Sequence, residues 1–294
     1  MKLESIIVCK DYGDFLEHTL PENMQHFDRM VVVTHPSDNR TKTLCNRYGI
    51  DCIETEEFHR DGDLFNKGRV INQGLSHLRH DGWLLHMDAD VLLPHGFRNL
   101  LENAQLDKRN IYGADRLNTT SYDHWQNNKH HTKPAHQWRY MVTAPKEFNL
   151  GARLLHQEYG YCPIGYFQLW HSSAGKKYPI VNGSAEHGDV LFAIQWKREN
   201  RVLLPEIIVY HLESDGDAPM GANWKGRKTP EFKPTGLVKT SSSVNQELAS
   251  YLPNAPTVYV PANTQPKNTG WAIAAAFAAF FSVTIGLYFV LRGY

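Results

Sequence analysis

Three Asp-x-Asp triplets punctuate the chain: Asp61/Asp63, Asp88/Asp90 and Asp215/Asp217. Chance alone supplies about one such triplet in a chain of this size, so context has to separate them. Only Asp88-Ala89-Asp90 directly follows an almost wholly apolar run, residues 82–87 (GWLLHM). Two carboxylates at the end of a buried strand are costly unless a cation or dipole answers them. Oxygen ligands of this kind suit Mg²⁺ or Mn²⁺ that in turn bridge to phosphate oxygens. A solvated strand-end turn is the ordinary alternative. Upstream, Phe65-Asn66-Lys67-Gly68-Arg69 opens a segment with helical periodicity. A helix N-terminus carrying Lys, Arg and Gly is a ready anion site, through its dipole, free N–H groups and cationic side chains. An ordinary basic surface turn explains the same residues equally well.

These residues need elements to hold them. Residues 5–9 (SIIVC) and 30–34 (MVVVT) read as short β-branched strands, with a helix over 15–24 between them despite Pro21. A helix over 41–48 and a strand over 51–54 follow. Ile71, Leu75 and Leu78 then recur at i, i+4 and i+7, which predicts an amphipathic helix over 66–78. The nearly all-apolar strand 82–87 implies burial on both faces. This alternation predicts an α/β fold with a mostly parallel, doubly wound sheet, whose ligands sit beyond the carboxyl ends of the strands. Residues 118–146 are polar, aromatic and histidine-rich, and read as an inserted loop or lid. Strand signals return at 165–170 and 201–212, with a helix over 189–198.

Composition sets further bounds. Lys plus Arg (31) balance Asp plus Glu (31), so no global basic field draws in nucleic acid or acidic lipid. Cys9, Cys45, Cys52 and Cys162 form no CxxC pair and read as free thiols. Residues 271–291 (WAIAAAFAAFFSVTIGLYFVL) form an uncharged apolar run long enough to cross a bilayer as one helix. The Ser-, Thr-, Asn- and Pro-rich stretch 234–270 reads as a tether between a globular part and this anchor. The N-terminal residues lack the pattern of an export signal, which predicts a cytosolic catalytic domain on a single-pass, C-terminally anchored membrane protein.

The succession SIIVCKDY, VVVT, FNKGRVINQGL and GWLLHMDADVLLP resembles the nucleotide-binding half of a GT-A glycosyltransferase of the family 2 type. The later GYFQLWH, EHGDVLFAIQW, IIVYHLES and GANWKGR are similar to the second half of its bacterial and phage members. The resemblance spans residues 5–232 and implies a catalytic domain over 1–233, divided into a nucleotide-binding half (1–115) and an acceptor-binding half (116–233). It implies Asp88 and Asp90 as ligands of Mn²⁺ or Mg²⁺, with His211 completing the shell. Asp189 is implied as the general base, with Glu186 as its rival because the segment Glu186-His187-Gly188-Asp189 departs from the usual Glu-Asp pair. Asp189 reads equally as a helix cap. Asp11 and Thr34 fall where the nucleoside is met, and Lys67 and Arg69 where the diphosphate or base is met. Trp224 and Arg227 match a loop that closes over the donor, and Gln168, Trp170 and His171 would line the acceptor side. The activity so implied is transfer of a sugar from a nucleoside-diphosphate sugar to an acceptor hydroxyl, with the anchor favouring a glycan or glycolipid acceptor.

Three other classes stand against it. A nucleotidyltransferase calls for a Gly-rich phosphate loop after the first strand, where this chain has CKDYGDF. A non-catalytic sugar-binding module needs no metal-ligand set. A DNA-base glycosyltransferase shares the fold, but balanced charge and a membrane anchor disfavour nucleic acid as a partner.

Overall fold

The computed structural model describes residues 1–129, 149–150, 155–156, 160–214 and 222–234. In chain order the elements are β1 (Leu3–Val8), α1 (Gly13–Asn23), β2 (Arg29–Thr34), α2 (Asn39–Tyr48), β3 (Asp51–Glu54), α3 (Lys67–Leu75), β4 (Trp83–Asp88), β5 (Val91–Leu92), α4 (Phe97–Asn103), β6 (Ile111–Asn118), α5 (Tyr122–Asn128), β7 (Asn149–Leu150), β8 (Leu155–His156), β9 (Gly160–Tyr161), β10 (Phe167–His171), α6 (Gly188–Ala193) and β11 (Arg201–His211). The fold is a mixed α/β one.

Nine strands make one sheet in the order β3-β2-β1-β4-β10-β6-β11-β5, with β7 paired to β6, while β8 and β9 pair separately. The block β3-β2-β1-β4 is parallel throughout. The other half is mixed: β10 runs antiparallel to both β4 and β6, β11 runs parallel to β6, and β5 runs antiparallel to β11. The expected mostly parallel sheet is therefore correct for the first half only. The reason lies in how the chain reaches β10. Ile164, Gly165 and Tyr166 already stand at the carboxyl end of β4, so the next strand can only run back down the sheet. Along β11 the pairing with β6 slips between Leu204 and Ile208, which accommodates Pro205 and its missing N–H.

Both sheet faces are covered, as the unbroken apolar strands imply. On one face Leu3, Ile7, Val32, Leu85 and Met87 pack with Leu16 and Leu20 of α1, Leu44 of α2 and Phe97 of α4. Alternate residues, Ile6, Val8, Val31, Val33 and Leu84, pack on the other face with Val70, Ile71 and Leu75 of α3 and Phe192 of α6. A satellite cluster joins Phe15, Leu92, Trp125, Tyr210 and Phe232.

Several expectations need correction. The first part of the expected lid, 118–146, is the helix α5, whose Trp125 is buried in the satellite cluster. The point 115/116 between the two expected halves lies within β6, which bonds to both β10 and β11. Helix α6 is shorter than the expected 189–198, and α4 was not foreseen. The third triplet, Asp215/Asp217, most of the stretch 234–270 and the apolar run 271–291 lie outside the described residues. Among the described residues no helix is long and apolar enough to cross a membrane.

Candidate active site

A cavity of about 490 Å³ opens at the carboxyl ends of β1 and β4. Seven of the residues singled out from the sequence line it: Lys67, Asp88, Asp90, Asp189, His211, Trp224 and Arg227.

The turn after β4 and the end of β11 form its acidic centre. Asp88 ends β4, and Ala89-Asp90 leads into β5, whose Val91 and Leu92 pair with His211 and Tyr210. Leu212 N donates to Asp90 O at 2.8 Å, so residues more than a hundred positions apart are zipped together. His211 Nε2 stands 3.7 Å from Asp90 Oδ1, and its Nδ1 bonds Glu213 Oε1 at 3.2 Å. Asp90 Oδ1 is buried and finds no hydrogen-bond donor among the described residues. Burial pushes the Asp90 carboxyl up, Asp88 adds to this, and His211 and Lys67 offset it only in part. Burial would lower the His211 imidazole, but Asp90 and Glu213 outweigh it and raise it.

Lys67, the first residue of α3, forms an ion pair with Asp88 Oδ1. Burial would raise the Asp88 carboxyl, yet the neighbouring ammonium keeps it below its ordinary value. No three His, Cys, Asp or Glu side chains among the described residues stand close enough to enclose a metal. The set Asp88, Asp90 and His211 is thus assembled but not closed. Its chemistry nonetheless fits a hard divalent cation. Asp90 offers an orphaned oxygen, and a His211 Nδ1–H given to Glu213 leaves the Nε2 lone pair on the Asp90 side, as in histidine ligands whose other ring N–H is given to a carboxylate.

Asp189 sits across the cavity near the start of α6. Its Oδ2 accepts from Gly165 N and its Oδ1 from Val190 N, both at 2.8 Å, so the carboxylate is held firmly with lone pairs to spare. The cap position of α6 belongs to His187. Glu186 pairs with His187 at 3.2 Å and does not line the cavity, which separates it from Asp189.

Below the cavity lies a polar relay. Gln168 is fully buried, and its Nε2 donates to Pro163 O at 2.8 Å and Asp189 O at 2.9 Å. Its Oε1 accepts from Tyr178 Oη at 2.5 Å, and Tyr178 Oη lies 3.0 Å from His86 Nδ1. Burial pushes the His86 imidazole down to about 3, so the ring is neutral. Gln168 therefore supports Asp189 from beneath and does not face an acceptor.

The other assignments are redirected by the fold. Trp170 is only 1% exposed and packs edge-on against Tyr178 and Phe192 in the core. His171 pairs with Trp83 at the start of β4, the opposite end from Asp88, because β10 runs antiparallel. Arg69 turns to the loop before α3, with Asp61 at 3.3 Å and Asp63 at 3.4 Å. That loop uses Asp63 as a staple for Asn66 and Gly183, which accounts for its triplet without a metal. Thr34 is buried and donates to Asp38 Oδ2 at 3.4 Å. Asp11, at φ 62°, pairs with Lys10 and faces a smaller cleft with Asp14, Asp38, Arg40 and Glu231. Arg227 is spent on Asp14, while Trp224, 37% exposed, stands at the rim with its carbonyl accepting from Ala185 N at 2.8 Å. The expected closing loop is thus pinned at two points in this structure.

Sequence reasoning missed Arg116, whose guanidinium lies 4.5 Å over the Tyr166 ring in the cavity wall, because β6 was not recognised as a strand. It also missed His86 and Tyr178. The period-2 alternation of β4 could have found His86, since it shares a face with Asp88.

No family model matches the chain, and no curated protein matches it. Among solved structures the chain is similar to mannosyl-3-phosphoglycerate synthase from Rubrobacter xylanophilus (TM-score 0.43, 13% identity, covering 86% of this chain and 74% of that one). It is also similar to glucosyl-3-phosphoglycerate synthase from Mycobacterium tuberculosis in complex with Mn²⁺, uridine diphosphate and phosphoglyceric acid (TM-score 0.43, 11% identity, covering 85% and 78%). The complex of that enzyme with UDP-glucose gives a TM-score of 0.42 at 11% identity over 87% and 81% of the two chains.

Proposed function

We propose that the protein is a metal-dependent glycosyltransferase that moves a sugar from a nucleoside-diphosphate sugar to an acceptor hydroxyl. The observation that carries this reading is the buried Asp90 oxygen, without a donor among the described residues, set beside His211 and the Lys67–Asp88 pair in one cavity. Asp88, Asp90 and His211 would hold Mn²⁺ or Mg²⁺, which when bound supplies Lewis-acid charge against the leaving diphosphate. Lys67 adds a positive charge at the same wall, where developing negative charge is answered without reorganisation. Asp189, oriented by Gly165 and Val190, takes the proton of the attacking hydroxyl. Trp224 at the rim restricts water and so limits hydrolysis of the donor. The apolar run 271–291 supports an acceptor at a membrane, a glycan or glycolipid, and a single-pass protein whose catalytic part faces the cytosol.

The test is to screen the full-length protein in mild detergent against UDP-, GDP- and TDP-sugars with Mn²⁺, reading thermal shift and donor hydrolysis. One donor should give a metal-dependent shift that Asp90→Asn abolishes. Absence of any metal-dependent shift across the panel removes the reading.

A further inference from the structure

His86 and Asp88 lie two residues apart on β4 and face the same side, toward α3 and its first residue Lys67. His86 is fully buried and lines the cavity. Its tautomer is dictated by a chain of hydrogen bonds. Two carbonyls, Pro163 O and Asp189 O, face one end of the Gln168 amide, so that end is the NH₂. The other end is a carbonyl, and Tyr178 spends its only proton on it. Tyr178 Oη can then only accept from His86, which puts the ring proton on Nδ1 and leaves a lone pair on Nε2. That Nε2 is buried and has no partner among the described residues. It is an acceptor without a donor, beside a cavity cation.

The cations lining the cavity can be sorted. Arg116 lies over Tyr166, Arg227 is held by Asp14 and Lys10 by Asp11. Lys67 alone of these is bound to a residue of the proposed metal set, so it is the cation that competes with a divalent ion for the same Asp88 oxygen. We propose that Lys67 is a two-position cation: it rests on Asp88 in the metal-free protein and is received by His86 Nε2 when a divalent ion takes Asp88. His86 is then a positioning residue, and the Gln168–Tyr178 relay exists to keep its lone pair available. The inference rests on the metal reading above. It adds that metal binding displaces an internal competitor.

The test measures Mn²⁺ binding without nucleotide, by the electron paramagnetic resonance signal of free Mn²⁺, on full-length protein in mild detergent. Lys67→Met should bind Mn²⁺ about tenfold tighter than wild type, the scale of coupling between contacting groups. His86→Leu should bind about tenfold more weakly, because the displaced ammonium has no acceptor. His86→Gln, which keeps an acceptor oxygen near the Nε2 position, should stay close to wild type. The double variant Lys67→Met/His86→Leu should match Lys67→Met. The inference is overturned if Lys67→Met binds no tighter, or if His86→Leu weakens binding equally with and without Lys67, which would make His86 a metal ligand or a structural prop. If His86→Leu fails to fold, the Lys67→Met and His86→Gln arms decide. No Mn²⁺ binding by wild type sinks the metal reading, and this inference with it.

Discussion

Asp14 and Arg227, more than two hundred residues apart, form a two-pronged ion pair with N···O distances of 2.5 and 2.7 Å. The Asp14 side chain is only 1% exposed, and the guanidinium also stacks over the Tyr12 and Phe15 rings. Asp14 Oδ2 further accepts from Phe232 N at 2.5 Å, so one carboxylate ties the segment 222–234 to α1. Arg227→Met strands that charge and should cost about 3–5 kcal/mol in urea unfolding. Asp14→Leu/Arg227→Met should cost clearly less, since no unpaired charge remains. Equal losses in both would show that packing, not charge, holds the strap.

The two tryptophans assigned to substrate should behave in opposite ways. Trp170→Ala empties a core site and should cost about 3–5 kcal/mol of stability. Trp224→Ala should leave the melting temperature within a few degrees of wild type while raising KM for the donor and the share of donor lost to water. A melting temperature unchanged by Trp170→Ala would contradict its place in the core.

Asp90 offers a test that separates function from folding. Its Oδ1 is buried without a donor among the described residues and burial raises the carboxyl pKa, so ionisation at neutral pH opposes folding. Asp90→Asn should therefore leave the metal-free protein as stable as wild type or more so, while lowering kcat by about a hundredfold or more. Asp88→Asn should lose activity to the same degree but also release Lys67 from its ion pair. Full turnover by either variant in the presence of EDTA would refute the metal role.

His86 predicts a pH dependence of stability. Its ring stays neutral down to about pH 3 in the folded chain, whereas an unfolded histidine takes up a proton near pH 6.5. Above that value neither state is protonated and nothing changes. From about 6.5 down to 3 the unfolded chain binds a proton the folded chain refuses, so stability falls by at most about 1.4 kcal/mol per pH unit. His18 and His26 shift the same way and act in every variant. In EDTA, the urea midpoint of His86→Gln should slope less steeply between pH 4 and 6.5 than that of wild type. Parallel curves would mean that His86 is protonated in the folded state.

The parallel half of the fold was legible because β-branched runs and amphipathic spacing are local signals. The strand 51–54 matched the observed β3 residue for residue. Asp88 and Asp90 stood out for the same reason, as polar residues closing an apolar strand. The acceptor-side residues lie away from the cavity because their placement depends on strand direction. Trp170 and His171 follow Gln168 in sequence, yet the reversal of β10 carries them down into the core and toward the opposite end of the strands. The partners of Arg69 and Arg227 are hidden in the sequence for another reason. A charge pattern shows a cation but not the carboxylate that already holds it, and Asp63 and Asp14 become partners only after folding. Gln168 and His86 belong to a relay that joins β4, β10 and the segment before α6, so no local window contains it.

The two-residue ladder between β5 and β11 has a consequence for biosynthesis. The loop bearing Asp90 leaves the ribosome more than a hundred residues before its partner His211. Until β11 arrives, β5 has nothing to zip against and the carboxylates remain apart from the imidazole. A nascent chain can thus complete the parallel half of the sheet while the proposed metal set is still unassembled, and that set comes together only once β11 and the strap that Asp14 captures have been made.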